Sequence, residues 1–502
     1  MSTIVSHRLT IPFTLIFVVF AFYSHTLELG FFSDDFEGIA RYQKWGLSGL
    51  GENYGNAFFM PFSFLFQAAE VQLLVHYSLI KVLNLLLFSG TGIFLYALAR
   101  RFFVDHAQEK VLSFFVALVF LCSPYQTEAI NWFSSQAYVL ATFFIVWALW
   151  ILLREKQSWR TPFYFNFLFL LALLNKEIAL VLPMILALLL FFRMETAGTN
   201  LKKSLYGSVG ILLLYFLLRW LVLGELIGGY GSAVHSNLNP LVLGQGLAAY
   251  VAKFFGFYRY FPSVFNKVFA VIILSLLVLA LWLGRKKEAK SLLPPLCFLL
   301  CFLVSLLPVL NLETSFLGDI QSDRYGYFPS VFFALFLASC LQALKAWLRH
   351  GAMLIWLSLS LVFLWQTQAI WQEAAVKRDQ FSEALHADFL PGEFHLLNIP
   401  DNWKGVYLFR HGLEEFLHQN YEFMGGTTRA SVPLSTHKIN VMEFEGTQCT
   451  LGGYLHWKGK NPFEHSTSNT CAWIHLRPEI PENVKVFYYD LSKGKIYACS
   501  TE

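Results

Sequence analysis

Long apolar runs leave this chain few folds to choose from. A spanning helix needs roughly 20 mostly apolar residues. Such runs stand near residues 10–28, 79–99, 111–123, 136–153, 161–175, 177–193, 204–223, 265–284, 292–310, 327–347 and 351–370. The apolar-length criterion therefore predicts about eleven spans, those at 111–123 and 161–175 being short. A further run, 241–262, is interrupted by Lys253, Arg259 and Pro262 and reads as an interfacial helix. Charged residues make up only 14% of the chain, well below the roughly 25% of soluble domains. The 52 phenylalanines suit lipid-facing and interfacial surfaces. A net charge of +4, with no basic stripe, excludes a nucleic-acid binder. The expected fold class is a polytopic α-helical membrane protein.

Cations set the orientation. With the N-terminus inside, the cytoplasmic segments carry Arg8; Arg100, Arg101 and Lys110; Arg154, Lys156 and Arg160; Arg193, Lys202 and Lys203; Arg285, Lys286, Lys287 and Lys290; Lys345 and Arg349. The outer loops are longer but poorer in Lys and Arg, the bias expected of a cytoplasmic N-terminus. No clear small-x-small cleavage site follows the first run, so it is expected to be a retained helix. From about Asp379 the polarity becomes that of a soluble protein. Short alternating runs such as "KVFYYDLS" and "GKIYACS" predict strands. Two domains are expected: residues 1–375 in the membrane and a small α+β domain, 376–502, outside it. Cys449, Cys471 and Cys499 lie in that domain, where an oxidising compartment permits a disulfide. The sequence does not choose the pair. Cys122, Cys297, Cys301 and Cys340 lie in or near spans and read as packing residues.

Ionisable groups at membrane depth are costly and are usually paired or functional. Five clusters fall on the outer side of this topology. "GFFSDDFEG" holds Asp34, Asp35 and Glu37. His76 opens the second span. "SPYQTEAINW" holds Gln126, Glu128 and Asn131. "LLNKEIALVLP" sets Lys176 and Glu177 between two apolar runs. "GDIQSDRYGYFPS" holds Asp319, Asp323, Arg324 and Tyr325. Each has a plain structural alternative. Lys176 and Glu177 would join two helices as an ion pair, Glu128 would cap a helix or pair with a lysine, Arg324 would bridge to Asp323 or Asp319, and His76 would be a hydrogen-bonded interfacial histidine. Taken chemically, a carboxylate serves as general base, and cations neutralise a phosphate leaving group. Adjacent carboxylates diverge by about 100° on a helix. One of Asp34 and Asp35 is thus expected to meet an acceptor, while the other holds a metal, the acceptor or the loop.

These motifs, in this order, resemble the GT-C glycosyltransferases, multispanning enzymes that use polyprenyl-phosphate sugars. "FFSDDFEGI" is similar to the acidic motif of their first outer loop. The nearer likeness is to the transmembrane and TPR-containing protein O-mannosyltransferases and their bacterial relatives. "MPFSFLFQ…VHYSLIKVLNLLLF" resembles their Arg-Pro-Leu segment followed by a His and an Asn. "FLCSPYQTEAINWFSSQAYVLATFF" resembles their His-Pro-x-x-Thr-Glu-Ala-Val loop. "LLNKEIALVLP" is similar to their Ser-Lys-Glu segment, and "SDRYGYFPSVFFAL" to their Glu-Arg-x-x-Tyr-x-Pro-Ser segment. The likeness covers roughly residues 1–370. Met60 stands where an Arg is usual, Ser123 and Tyr125 alter the third motif, and the tail has no TPR period.

The resemblance implies a GT-C fold and an inverting transfer from a polyprenyl-phosphate sugar to a protein, lipid or polysaccharide on the outer face. Bacterial relatives imply the inner (plasma) membrane. Asp34 or Asp35 becomes the base, and Lys176 and Arg324 bind the donor phosphate. Glu128, Glu177, His76, Asn131, Asp323 and Tyr325 become substrate or metal-site candidates, with Mg or Mn as an optional cofactor. A non-catalytic scaffold for envelope assembly stays open, since such folds can lose activity, and so do two more specific readings. One is a ligase or oligosaccharyltransferase using a polyprenyl-diphosphate glycan, which needs more cationic charge. The other is a lipid or solute transporter, which predicts polar groups in both membrane halves and internal symmetry.

Overall fold

The computed structural model describes residues 2–45, 58–74, 76–104, 106–154, 158–192, 194, 198–226, 239–261, 275, 293–310, 319–387, 394–397, 402–409, 412, 415–416, 442–444, 447–451, 455–457, 485–490 and 493–499. The chain divides into two compact units. One comprises Met1–Glu28 and Trp45–Gln368, the other Leu29–Lys44 and Ala369–Glu502. The acidic segment 29–44 therefore belongs with the C-terminal part of the chain, which enters the second unit at Ala369.

Helices α1 (Ser2–Tyr23), α2 (Asp34–Trp45), α3 (Pro61–Leu74), α4 (Tyr77–Phe102), α5 (Glu109–Leu121), α6 (Thr127–Asn131), α7 (Gln136–Leu153), α8 (Thr161–Leu173), α9 (Leu182–Phe191), α10 (Gly198–Leu223), α11 (Pro240–Gly256), α12 (Leu293–Leu306), α13 (Pro329–Gln342) and α14 (Ala346–Ala387) follow in order. Pro61, Pro162, Pro183, Pro240 and Pro329 stand at the first or second position of their helices. The missing N–H costs nothing there and the fixed φ favours the helix. Five helical stretches are long and apolar enough to cross a membrane: Leu9–Leu27, Tyr77–Phe102, Phe133–Leu153, Asn200–Leu223 and Ala346–Ala384. Two bent pairs raise the number to seven if each is one span. Thr161–Leu173, Glu177–Phe191 and Leu293–Val309 are apolar but shorter. Among the described residues the structure thus supports a polytopic helical protein with five to seven candidate spans, where sequence predicts about eleven. The expected span 265–284 lies outside the described residues, apart from residue 275. The run 241–262 forms α11 as far as Gly256; at its start, Asn239 caps the helix by accepting from the Leu241 N–H.

Aromatic residues fill the first unit. Phe254, Phe302 and Phe333, from α11, α12 and α13, meet with ring centroids 5.2–5.8 Å apart. Cys122, Cys297, Cys301 and Cys340 are buried free thiols, as expected of packing residues.

The two bent pairs matter most for chemistry. Glu109–Leu121 meets Pro124–Asn131 at 50°, and Ile320–Gly326 meets Pro329–Gln342 at 71°. The first bend falls at Ser123–Pro124, where Ser123 Oγ accepts from the Tyr125 N–H. Irregular backbone at membrane depth is tolerated only where protein or a cavity covers it. Both bends lie within the first unit, and they carry Glu128 and Arg324.

In the second unit, Phe36 of α2 packs on Phe416 with centroids 4.9 Å apart, and Phe381 of α14 on Phe409 and Tyr489, also at 4.9 Å. Strands β1 (Phe394–Leu397), β2 (Asn402–Trp403), β3 (Val406–Tyr407), β4 (Met442–Phe444), β5 (Thr447–Leu451), β6 (Leu455–Trp457), β7 (Lys485–Asp490) and β8 (Lys495–Cys499) form three sheets. β1 runs parallel to β7, and β8 pairs antiparallel with β7. β2 and β3 make a hairpin, with Lys404 and Gly405 both at positive φ in its turn. β4, β5 and β6 form an antiparallel sheet. The runs read as strands in "KVFYYDLS" and "GKIYACS" are β7 and β8. Cys471, and with it any bridge it forms, lies outside the described residues.

Candidate functional site

Lys176 sits between α8 and the short 3₁₀ turn Glu177–Val181 and is 8% exposed. Its ammonium lies 3.7 Å from the Glu177 carboxylate, beyond hydrogen-bond distance. It donates to Met60 Sδ at 3.3 Å, a weak acceptor, and lies 4.0 Å from the ring centroid of Phe58 and 5.3 Å from that of Tyr138. An ammonium carries three donors, so among the described residues Lys176 keeps donors to spare. Glu177 is instead taken by Arg219 Nη1 at 3.2 Å. Arg219 comes from near the C-terminal end of α10 and is buried. Among the described residues two cations therefore share the Glu177 carboxylate in this partly buried corner. The expected Lys176–Glu177 ion pair is loose, and Arg219 is the closer partner.

Arg324 is fully engaged. Its backbone N–H donates to Glu128 Oε2 at 2.7 Å, and its Nη1 donates to Glu128 Oε1. Nη1 also donates to the Gln321 carbonyl, Nη2 donates to the Tyr325 hydroxyl, and the guanidinium lies against the rings of Trp132 and Tyr325. The bridge read in sequence to Asp323 or Asp319 is thus replaced by one to Glu128. The reason is the pair of bends, which faces the 127–131 turn with the 320–326 turn. Tyr325 meets Tyr138 edge to face at 6.0 Å. One aromatic pair therefore separates Arg324 from Lys176.

Asp323 is buried, and its Oδ1 accepts from Arg259 Nη2 and lies 2.5 Å from the Lys253 ammonium as an ion pair. Arg259 also donates to the Asp319 carbonyl at 2.7 Å. Burial pushes the Lys253 ammonium pKa down against the opposing pull of Asp323. Burial also raises that of Asp319, with Arg259 opposing. Asn131 is part of a scaffold: its amide donates to Gln368, its side-chain oxygen accepts from Thr26, and its carbonyl accepts from Lys81. Lys81 and Asn84 of α4 both donate to the Ile130 carbonyl, fixing the end of α6. His76 stands exposed at the start of α4 and makes no side-chain cap bond. The structure does not bring it into these clusters.

Stripping one partner from a buried ion pair is strongly destabilising, by about 3–5 kcal/mol, because the other charge stays buried alone. Arg324→Ala is accordingly expected to lower the thermal unfolding midpoint of the nanodisc-embedded protein sharply. An unchanged midpoint would show that the Glu128 pair does not hold the two bends.

In the second unit the two neighbouring aspartates separate by role. Asp35 is wholly buried; its Oδ2 accepts from the Phe32 N–H at 3.0 Å, while its own N–H donates to the Phe32 carbonyl. It holds the loop. Asp34 is half-buried, and among the described residues its carboxylate takes one hydrogen bond, from Ser33 Oγ at 3.1 Å. The loop is stapled further by Arg378, whose Nη1 donates to the carbonyls of Leu29 and Phe31 and whose guanidinium stacks on Phe32. Gly30 has φ +74°, and a Cβ there would meet Arg378 Nη1 at 2.7 Å. Gly412 has φ +73°, and a Cβ there would lie 2.5 Å from the Ser33 carbonyl oxygen. Only glycine allows either approach.

Sequence reasoning missed Arg219, Arg378 and the pairing of Lys253 and Arg259 with Asp323. For Arg219 a signal was present, since an arginine inside an apolar run marks a site by default. Among the described residues no three His, Cys, Asp or Glu side chains gather as a metal site would. No family model, curated protein or solved structure matches the chain.

Proposed function

We propose that this protein is an integral-membrane inverting glycosyltransferase that moves one sugar from a polyprenyl-phosphate donor to an acceptor on the outer face of the membrane. One observation carries the reading. Lys176 holds a buried, under-partnered ammonium beside Arg219, among apolar helices. Two cations beside one shared carboxylate, among apolar helices, suit a phosphate on a long hydrocarbon chain. The acceptor O–H gives its proton to a carboxylate base, the role expected of Asp34 from the sequence. The oxygen bonds to the anomeric carbon on the face opposite the phosphate. The bond from that carbon to the phosphate oxygen breaks, and its electron pair leaves on the phosphate, whose charge Lys176 stabilises. Asp35 keeps the loop in shape, and the Glu128–Arg324 pair braces the phosphate end.

The test is a thermal shift on the full chain in nanodiscs. Polyprenyl phosphate is expected to raise the unfolding midpoint and polyprenyl alcohol to leave it unchanged. Equal effects of the two lipids, or none from either, would overturn the phosphate site.

A further inference from the structure

Helix α3 begins directly after the residues that cover Lys176. Phe58 and Met60 lie against its ammonium at 4.0 Å and 3.3 Å, and the Phe62 N–H donates to the Leu174 carbonyl at 3.1 Å. Further along α3, two polar ties dock it. Gln67 Nε2 donates to the Phe133 carbonyl at 3.0 Å, and Gln136 Nε2 donates to Glu70 Oε1 at 2.9 Å. Glu70 is 3% exposed and Gln136 is wholly buried.

The second tie is incomplete as an ionised pair. Glu70 Oε2 and Gln136 Oε1 are both buried without a hydrogen-bond partner among the described residues. Two oxygens cannot satisfy each other, since a carboxylate and an amide oxygen only accept. A proton on the carboxyl supplies the missing donor. The charged group facing Glu70 is Lys81 of α4, and its ammonium is already held by the Ile130 and Asn131 carbonyls at 3.3 Å and 2.7 Å. From α7, the group facing Glu70 is the neutral Gln136.

We propose that Glu70 is a positioning residue: held as a neutral acid against Gln136, it fastens α3 and so sets Phe58 and Met60 over Lys176. The link to catalysis rests on Lys176 being the phosphate-binding cation, whereas the acid–amide pair itself does not. Burial, opposed by the Gln136 hydrogen bond and the Lys81 charge, raises the Glu70 carboxyl from 4.5 to about 8. The folded state then keeps a proton that the unfolded state loses. Stability is full below the unfolded value and falls as pH rises through about 8. Ionised Glu70 loosens the tie, and the cover over Lys176 with it.

Infrared titration of the full chain in nanodiscs tests the pair. A protonated carboxyl band is expected to persist through neutral pH, to fade as pH passes about 8, and to be missing from Glu70→Gln. Glu70→Gln is also expected to keep its unfolding midpoint on raising the pH, where the wild type loses several degrees, because an amide satisfies Gln136 without a titrating proton. If Glu70→Gln misfolds, Gln136→Ala answers the same question: the band must shift as the acid loses its acceptor. No titrating band, or a band unmoved by Gln136→Ala, overturns the proposal. A titrating band with no response to polyprenyl phosphate at any pH overturns the link to Lys176 and the phosphate reading, and leaves the acid–amide pair standing.

Discussion

Asp34→Asn is expected to lower sugar transfer by about 10²–10⁴-fold, the range for loss of a general base, with the unfolding midpoint unchanged. Asp34 is half-buried and bonds only to Ser33 Oγ among the described residues, so an amide of the same size fits its place. Asp35→Ala is expected to behave oppositely. It removes the acceptor of a buried Phe32 N–H, at a cost of about 1–3 kcal/mol for the unsatisfied donor, and it unsettles the loop. Paired turnover and melting measurements separate the two. Full activity in Asp34→Asn, or a wild-type midpoint in Asp35→Ala, would break the division of labour between the two carboxylates.

Lys176→Ala is expected to cost about 10²–10³-fold in turnover, as for loss of one preorganised group facing developing charge. It should also abolish the stabilisation by polyprenyl phosphate. Among the described residues the nearest anion to the ammonium is Glu177, at 3.7 Å and shared with Arg219. Its removal therefore strands no tight partner, and the fold should survive. Lys176→Arg should recover only part of the activity, because a planar fork does not reproduce a point charge packed against Phe58 and Tyr138. Undiminished lipid binding in Lys176→Ala would move the phosphate elsewhere.

Much of this was legible in the sequence. The helical membrane class follows from apolar length alone, and the strands in "KVFYYDLS" and "GKIYACS" follow from alternation. Lys176, Glu128 and Arg324 stand out because charge at membrane depth is costly. Partners were not legible. Arg324 pairs with Glu128 rather than its neighbours because two bends face each other, and a linear pattern carries no such fact. Lys253 and Arg259 read as breaks in an apolar run, yet they converge on Asp323. Arg378 lay beyond every motif, but the fold brings it back onto the carbonyls of Leu29 and Phe31. The roles of Asp34 and Asp35 were open for the same reason: their difference lies in which one accepts the Phe32 N–H.

The central claim is single-sugar transfer from a lipid phosphate, and comparison of surface glycans tests it most directly. Mass spectrometry would be run on cells lacking this protein and on the same cells given back the wild type or Asp34→Asn. The account predicts loss of one hexose or pentose, restored by the wild type and not by Asp34→Asn. Unchanged glycans with altered export of a small solute, or loss of an entire repeat block, would contradict it.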